Sequence, residues 1–208
     1  MAVGLEVDLP EPGAADRPEV SLAAVILAGG ASRRMGTAKA LLPFRGETIL
    51  DGLIRLYQPF CDVVIVVLGH APDKIRAGIA RAGDVQFAVN PDPERGQLSS
   101  LQCGLAMAPG DALFTPVDYP AVQPATVARL VRSNAPVAAP SYQGRHGHPV
   151  LIRDHVRREL LALPADGVAR DVIHRYGEVA EYIDVDDAAV CQDIDRMEDY
   201  ERLVASHE

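Results

Sequence analysis

From Leu22 onward, short wholly apolar runs alternate with amphipathic stretches. Ala23-Ala24-Val25-Ile26-Leu27, the Val-Val-Ile-Val-Val run inside 62–68, and the stretches 85–89, 111–115 and 135–139 each read as strands buried on both faces, the habit of a parallel sheet. Between them lie helical patterns. One follows Thr48 and places Ile49, Leu53, Ile54 and Leu56 on its buried side. Others start at Pro72, near Leu98 and at Pro124, and end near Arg81 and Pro109 for the first two. Such alternation with short connections predicts an α/β fold: a mostly parallel, Rossmann-like sheet with helices on both faces. Ligands of these sheets bind outside the carboxyl ends of the strands. The loops beginning at Ala28, at Asn90 and just before Asp118 all leave such ends, so they are expected to share one site.

After residue 140 the pattern changes. The string Ser141 to Ile152 reads as strand segments around a tight glycine turn. Helices are expected over 154–163 and 169–175, a strand over 180–185, and a closing helix that runs through Val204. Residues 1–20 hold five carboxylates against Arg17 alone, broken by Pro10, Pro12 and Pro18, which predicts a flexible acidic tail. Residues 21–208 are expected to form a single domain, a size that accommodates one proper core.

Composition narrows the function classes. With 20 basic against 29 acidic residues, the net charge of −9 speaks against nucleic-acid binding. No apolar run approaches the roughly 20 residues of a membrane span, and no basic-then-apolar leader is evident, so a cytoplasmic protein without a membrane partner is expected. Cys61, Cys103 and Cys191 are widely spaced and form no Cys-x-x-Cys pair, which predicts buried free thiols rather than zinc or disulfides. His146 and His148, two apart without carboxylate neighbours, make a poor metal site, and His70, His155, His174 and His207 carry no chemical signal.

The exception to the acidic balance is the loop Leu27-Ala28-Gly29-Gly30-Ala31-Ser32-Arg33-Arg34-Met35-Gly36-Thr37-Ala38-Lys39. Glycines let the main chain turn sharply and bring N–H groups close to a ligand, and the arginines and Lys39 concentrate positive charge. A buried strand emptying into such a loop suits a polyphosphate. Neither the Walker spacing nor the dinucleotide Gly-x-Gly-x-x-Gly is present.

This loop closely resembles the signature of nucleotidyltransferases of the MobA type, Leu-Ala-Gly-Gly-x-Ser-x-Arg-Met-Gly-x-x-Lys, at every specified position. The resemblance implies a nucleotide-diphospho-sugar-transferase-like fold. It also implies a loop in which Leu27, Ala28, Gly29, Gly30, Ser32 and Gly36 wrap a nucleoside triphosphate while Arg34 and Lys39 neutralise its phosphates. Pro116-Val117-Asp118-Tyr119-Pro120 contains the family's Asp-x-Pro, which makes Asp118 a Mg²⁺ ligand; an isolated carboxylate plus substrate phosphate oxygens is adequate for magnesium. Asp193-Ile194-Asp195-Arg196-Met197-Glu198-Asp199-Tyr200 resembles the closing motif Asp-Ile-Asp-Thr-Pro-Glu-Asp-Leu, with Asp195 as the second ligand and Arg196-Met197 in place of Thr-Pro. Asn90, Gly96, Ser99 and Ser100 fall where the family contacts base and ribose.

Gly144-Arg145-His146-Gly147-His148-Pro149-Val150 resembles the Gly-x-x-Gly-His-Pro-Val segment of the cytidylyl-transferring branch, which places Arg145 and His148 on the acceptor side. Asp166 to Arg170 resembles that branch's Gly-Asp-x-Gly-Ala-Arg, with Val168 inserted, and offers Arg170 to the acceptor's phosphate. Leu-Ala-Gly-Gly itself resembles the guanylyl-transferring branch, so CTP and GTP both stay open. The resemblance implies transfer of a nucleoside monophosphate to a phosphorylated acceptor, molybdopterin foremost, with release of pyrophosphate. Catalytic roles fall to Arg34, Lys39 and Asp118. A sugar phosphate as acceptor, a non-catalytic nucleotide-binding partner of a molybdoenzyme, and a nicotinamide oxidoreductase are the rival readings.

Overall fold

The computed structural model describes residues 21–30 and 35–207; the acidic tail and, within the glycine loop, Ser32 and Arg34 lie outside the described residues. In chain order the elements are β1 (Leu22–Leu27), β2 (Pro43–Phe44), β3 (Glu47–Thr48), α1 (Ile49–Tyr57), β4 (Val63–Leu68), α2 (Pro72–Gly78), β5 (Gln86–Val89), α3 (Gln97–Met107) and β6 (Asp111–Pro116). There follow α4 (Pro124–Leu130), β7 (Val137–Tyr142), β8 (Arg145–His146), β9 (Val150–Ile152), α5 (Asp154–Leu161), α6 (Ala169–Arg175), β10 (Glu181–Asp184) and α7 (Met197–Ala205).

All strands but β2 and β3 form one eight-stranded sheet, ordered β10-β7-β9-β6-β1-β4-β5 with β8 paired to β7. Strands β6, β1, β4 and β5 run parallel, as do β10 and β7, while β9 and β8 oppose their neighbours. The inner strands β1, β4 and β6 are buried on both faces because both faces are covered, whereas the edge strand β5 leaves Gln86 and Val89 exposed. Ala24, Ile26, Val64, Val66 and Leu68 pack with α1, α2, α4 and α7. The intervening Ala23, Val25, Ile65 and Val67 pack with Leu101 and Leu105 of α3, Val156 and Leu160 of α5, and Val172 of α6. This period of two is the reason that continuous apolar runs, rather than alternating ones, mark these strands.

Chain order reverses across the β1–β6 pair: β4 and β5 are laid down on one side of β1, and β6 on the other. Crevices open at such a switch point, at the carboxyl ends of the strands. The glycine loop leaves β1 there, and the Asp118 loop leaves β6 beside it.

Several boundaries differ from the periodicity. The helix from Pro72 ends at Gly78 instead of near Arg81. Its continuation is captured by Asp51 of α1, whose carboxylate accepts hydrogen bonds from the backbone N–H of Ala80 (3.2 Å) and Arg81 (2.8 Å). The strand expected over 135–139 begins at Val137 and continues to Tyr142, because β10 pairs with it as far as Ser141. The three thiols are half-buried rather than fully buried, and all are free. Among the described residues no helix is long and apolar enough to cross a membrane.

Candidate active site

The rim of the crevice is built by extending the sheet's own ladder. Ala28 donates its N–H to Val67 (2.8 Å), Val117 to Leu27 (3.1 Å) and Asn90 to Leu68 (2.8 Å), so the residues just past β1, β6 and β5 are held side by side. Two glycines allow the closest approach: a Cβ on Gly69 would sit 2.6 Å from the carbonyl oxygen of Gly29. Side chains are excluded there, and the glycine loop packs directly on the turn after β4. The resulting cavity of about 510 Å³ is lined by Leu27 to Gly30, by Lys39, His70, Glu94, Gly96, Gln97 and Ser100, and by Asp118 and Asp195.

At one end of this cavity lie the charges. The Lys39 ammonium stands 3.3 Å from Oδ1 of Asp195 and 3.8 Å from Oδ2 of Asp118. These residues are 156 positions apart at the extremes, Lys39 to Asp195. The C-terminal segment is brought over by main-chain pairing, Ile194 N–H donating to the Asp118 carbonyl at 2.9 Å. Asp118 is desolvated, and burial raises its pKa above the usual carboxylate value against the opposing pull of Lys39; the nearby Asp193 and Asp195 push it the same way as burial. Its Oδ1 is buried and has no hydrogen-bond partner among the described residues. A buried acceptor left without a donor is costly to keep. Asp118 lines a site where a second carboxylate, Asp195, is at hand, the donor set a hard divalent cation takes together with phosphate oxygens. The residues present therefore fit such a cation, although among the described residues no group of three or more metal-ligating side chains occurs.

The rest of the lining comes largely from the segment that opens α3. Gly96, at φ +91°, opens α3 and turns its main chain along the cavity wall. Ser100 lines the wall, whereas Asn90 and Ser99 are buried behind it: Asn90 Nδ2 donates to Ser99 Oγ (2.9 Å) and Ser100 Oγ (3.0 Å), and its Oδ1 accepts from Asp92 N–H (3.0 Å). These three form an internal clamp on the loop, with Ser100 as the member that faces the cavity. Gly36 has φ +66° but does not line the cavity. His70 and Glu94, which had no expected role, do line it and stand 3.6 Å apart across its wall. The signal was available for His70, which lies two residues beyond the end of a parallel strand adjacent to β1, the same criterion that singles out Asp118.

The acceptor-side candidates are spread more widely. Arg145 is exposed on β8 and Arg170 is exposed on α6, and neither lines the cavity. His148 is packed beside Tyr119, the neighbour of Asp118, at 4.8 Å between ring centroids, and against Phe114 at 6.0 Å. Burial lowers the His148 pKa to about 4, so its ring is neutral at pH 7. In the unfolded chain the ring protonates near 6.5. Between these values the unfolded state binds the extra proton, so this contribution is intact above about pH 6.5 and is lost as the pH falls towards 4. Replacing His148 by phenylalanine is expected to remove it. Between pH 7 and 4.5 the wild type should lose about 2 kcal/mol more unfolding free energy than His148→Phe, as read by urea denaturation at both pH values. Parallel pH profiles would contradict the burial of the neutral ring.

Comparison with known proteins identifies the family. Residues 24–179 match the family described as the MobA-like NTP transferase domain. The chain is 31% identical over 194 residues to nicotine blue oxidoreductase of Paenarthrobacter nicotinovorans, covering 86% of this chain and 95% of that protein. It is 26% identical over 179 residues to the molybdenum cofactor cytidylyltransferase of Escherichia coli K12, covering 85% and 92% respectively. Among solved structures, Rv0371c of Mycobacterium tuberculosis H37Rv superposes with a TM-score of 0.79 at 30% identity, over 91% of this chain and all of that one. A second structure of that protein, in complex with manganese, superposes with a TM-score of 0.72 at 28% identity, over 89% of this chain and 99% of its own. With three-quarters of its length matched by that family's model, the chain belongs to the MobA-like NTP transferase family.

Proposed function

We propose that this protein is a divalent-metal-dependent nucleotidyltransferase that joins a nucleoside monophosphate, from CTP or GTP, to a phosphorylated acceptor, molybdopterin foremost, with release of pyrophosphate. Residues 21–208 act as one catalytic unit in this reading, in the cytoplasm. The observation that carries it is the placement of Lys39 beside both Asp118 and Asp195 on the wall of one cavity, with Oδ1 of Asp118 buried and without a hydrogen-bond partner among the described residues. That the Mycobacterium tuberculosis relative forms a manganese complex supports divalent-metal dependence, and the Escherichia coli relative's name supports the molybdenum cofactor as acceptor and CTP as donor.

In the reaction an oxygen of the acceptor's phosphate attacks the α-phosphorus of the triphosphate as the bond to the β-phosphate's bridging oxygen breaks. The acceptor is already anionic, so no general base is needed, and the protein's task is positioning and charge neutralisation. Lys39 meets the phosphates, with Arg34 assigned the same task. The main chain at Gly29 and Gly30 allows close approach of the triphosphate, and Gly96 with Ser100 receives the nucleoside end. Asp118 and Asp195 hold Mg²⁺, which supplies positive charge for the phosphate oxygens. Asn90 and Ser99 shape the nucleoside wall from behind. His148 stands next to Tyr119 on the acceptor side, where Arg145 and Arg170 are the candidate grips for the acceptor's phosphate.

The test is pyrophosphate release from CTP and from GTP in the presence of Mg²⁺, with and without molybdopterin. Acceptor-dependent release with one of the two nucleotides is expected; none with either would refute the reading. One finding favours a second reading, since a relative matched over 95% of its own length bears an oxidoreductase name. On that reading the crevice takes a nicotinamide nucleotide. Oxidation of NADH or NADPH with nicotine blue as acceptor, in place of pyrophosphate release, would establish it.

A further inference from the structure

We propose that Asp199, in the first turn of α7, is the positioning residue that sets the Asp195 carboxylate opposite Asp118. This rests on the reading of those two aspartates as a metal pair. A single oxygen of Asp199, Oδ2, accepts hydrogen bonds from the backbone N–H of Asp195 (3.1 Å) and of Arg196 (2.8 Å). The other oxygen, Oδ1, takes Nη2 of Arg202 at 2.5 Å. On its far side the same segment is tied to the partner aspartate itself, because Ile194 N–H donates to the Asp118 carbonyl at 2.9 Å. The N–H groups of residues 194–196 are thus held between the Asp118 carbonyl and the Asp199 carboxylate, with Ile194 buried in the core, so the main chain that carries Asp195 is placed relative to Asp118 before any ion arrives.

The holder is itself anchored. Tyr200 OH donates to the carbonyl of Pro43 at 2.6 Å, and Leu203 is buried in the core against which Met197, Tyr200 and Val204 pack. Asp199 does not line the cavity, so it acts only through Asp195. Charge-assisted bonds from a carboxylate to two successive N–H groups are strong for their number. Partners that orient a ligating carboxylate contribute about 10- to 100-fold to metal affinity when they are removed.

The experiment titrates Mn²⁺ alone into the purified protein and follows the free ion by electron paramagnetic resonance, with thermal unfolding measured in parallel. Asp199→Ala is expected to weaken Mn²⁺ binding at least about tenfold. Asp199→Asn, whose amide oxygen can still accept from both N–H groups, is expected to stay close to wild type. Leu203→Ala removes a buried side chain from the same helix without touching residues 194–196; it should lower the melting temperature and leave Mn²⁺ affinity unchanged. If Asp199→Ala and Leu203→Ala weaken binding in proportion to their losses of stability, Asp199 is merely structural and the proposal falls. An Mn²⁺ affinity of Asp199→Ala equal to wild type overturns it as well. If the wild type and Asp118→Ala take up Mn²⁺ alike, the metal pair itself is misread, and the positioning role goes with it.

Discussion

Replacing Asp118 by alanine should reduce turnover about 10³-fold or more while leaving the protein folded and no less stable than wild type. Two physical facts combine in this expectation. The side chain is the one group at the charged end of the cavity with a buried oxygen that no described residue satisfies, so its removal relieves a desolvation penalty instead of creating one. The structural task of residue 118 is performed by its main-chain carbonyl, which accepts from Ile194 and survives any substitution. Lys39 keeps Asp195 at 3.3 Å when Asp118 is gone. On the proposed reading activity is lost because both carboxylates would hold the ion, and Asp195 alone, half exposed, would not confine it. Asp118→Asn should be equally inactive, since it preserves shape but not charge. Saturating-substrate rates of pyrophosphate release, together with melting temperatures, check both variants. A turnover within tenfold of wild type would remove Asp118 from the chemistry, and a large fall in melting temperature would reassign it to the fold.

The contrast between Asp118 and its neighbours shows what could be read from the chain. Parallel strands buried on both faces are continuous apolar runs, so β1, β4 and β6 were visible within a residue or so, and with them the carboxyl ends at which Leu27, Leu68 and Pro116 deliver their loops. The convergence of the glycine loop and Asp118 follows from that alternation alone. What was not legible depends on contacts between distant positions. The end of α2 is decided by Asp51, which takes the N–H groups of Ala80 and Arg81 that a helix would have used. Asn90, Ser99 and Ser100 have the chemistry of ligand contacts, yet Asn90 spends both polar ends on the loop itself. That choice between substrate and scaffold leaves no trace in residue type. His70 is marked by the same strand-end rule as Asp118, two residues past Leu68, but only the pairing of β4 with β1 brings it to the cavity.

The segment Gly-His-Pro-Val carries the same ambiguity, and here the consequence for stability is large. Its resemblance points to an acceptor site, but Gly147 has a packing reason to be glycine. A Cβ at that position would lie 1.9 Å from the carbonyl oxygen of Val190 and 2.5 Å from its carbonyl carbon. Main chain cannot yield as a side-chain tip can. The strand is held on both sides of the clash, by Gly147 N–H to the Pro140 carbonyl (2.9 Å) and by His148 N–H to the Val190 carbonyl (2.9 Å). Val190 is fully buried, and its segment is pinned by Asp187, which accepts from Gln123 N–H (2.9 Å) and Thr126 Oγ1 (2.7 Å). Gly147→Ala must therefore break at least one of the two backbone hydrogen bonds and displace a packed segment. It is expected to destabilise by about 3 kcal/mol or more, combining overpacking with a lost buried bond. For a chain of this size that corresponds to a fall in melting temperature of roughly 6–12 °C. The same displacement moves His148 and Tyr119, so acceptor affinity should weaken while the metal pair, held through Ile194, keeps its Mn²⁺ affinity. Calorimetry and Mn²⁺ titration of one variant separate these effects: an unchanged melting temperature would show that the β8–β9 turn yields freely, and a lost Mn²⁺ site would show that the two halves of the cavity are mechanically joined.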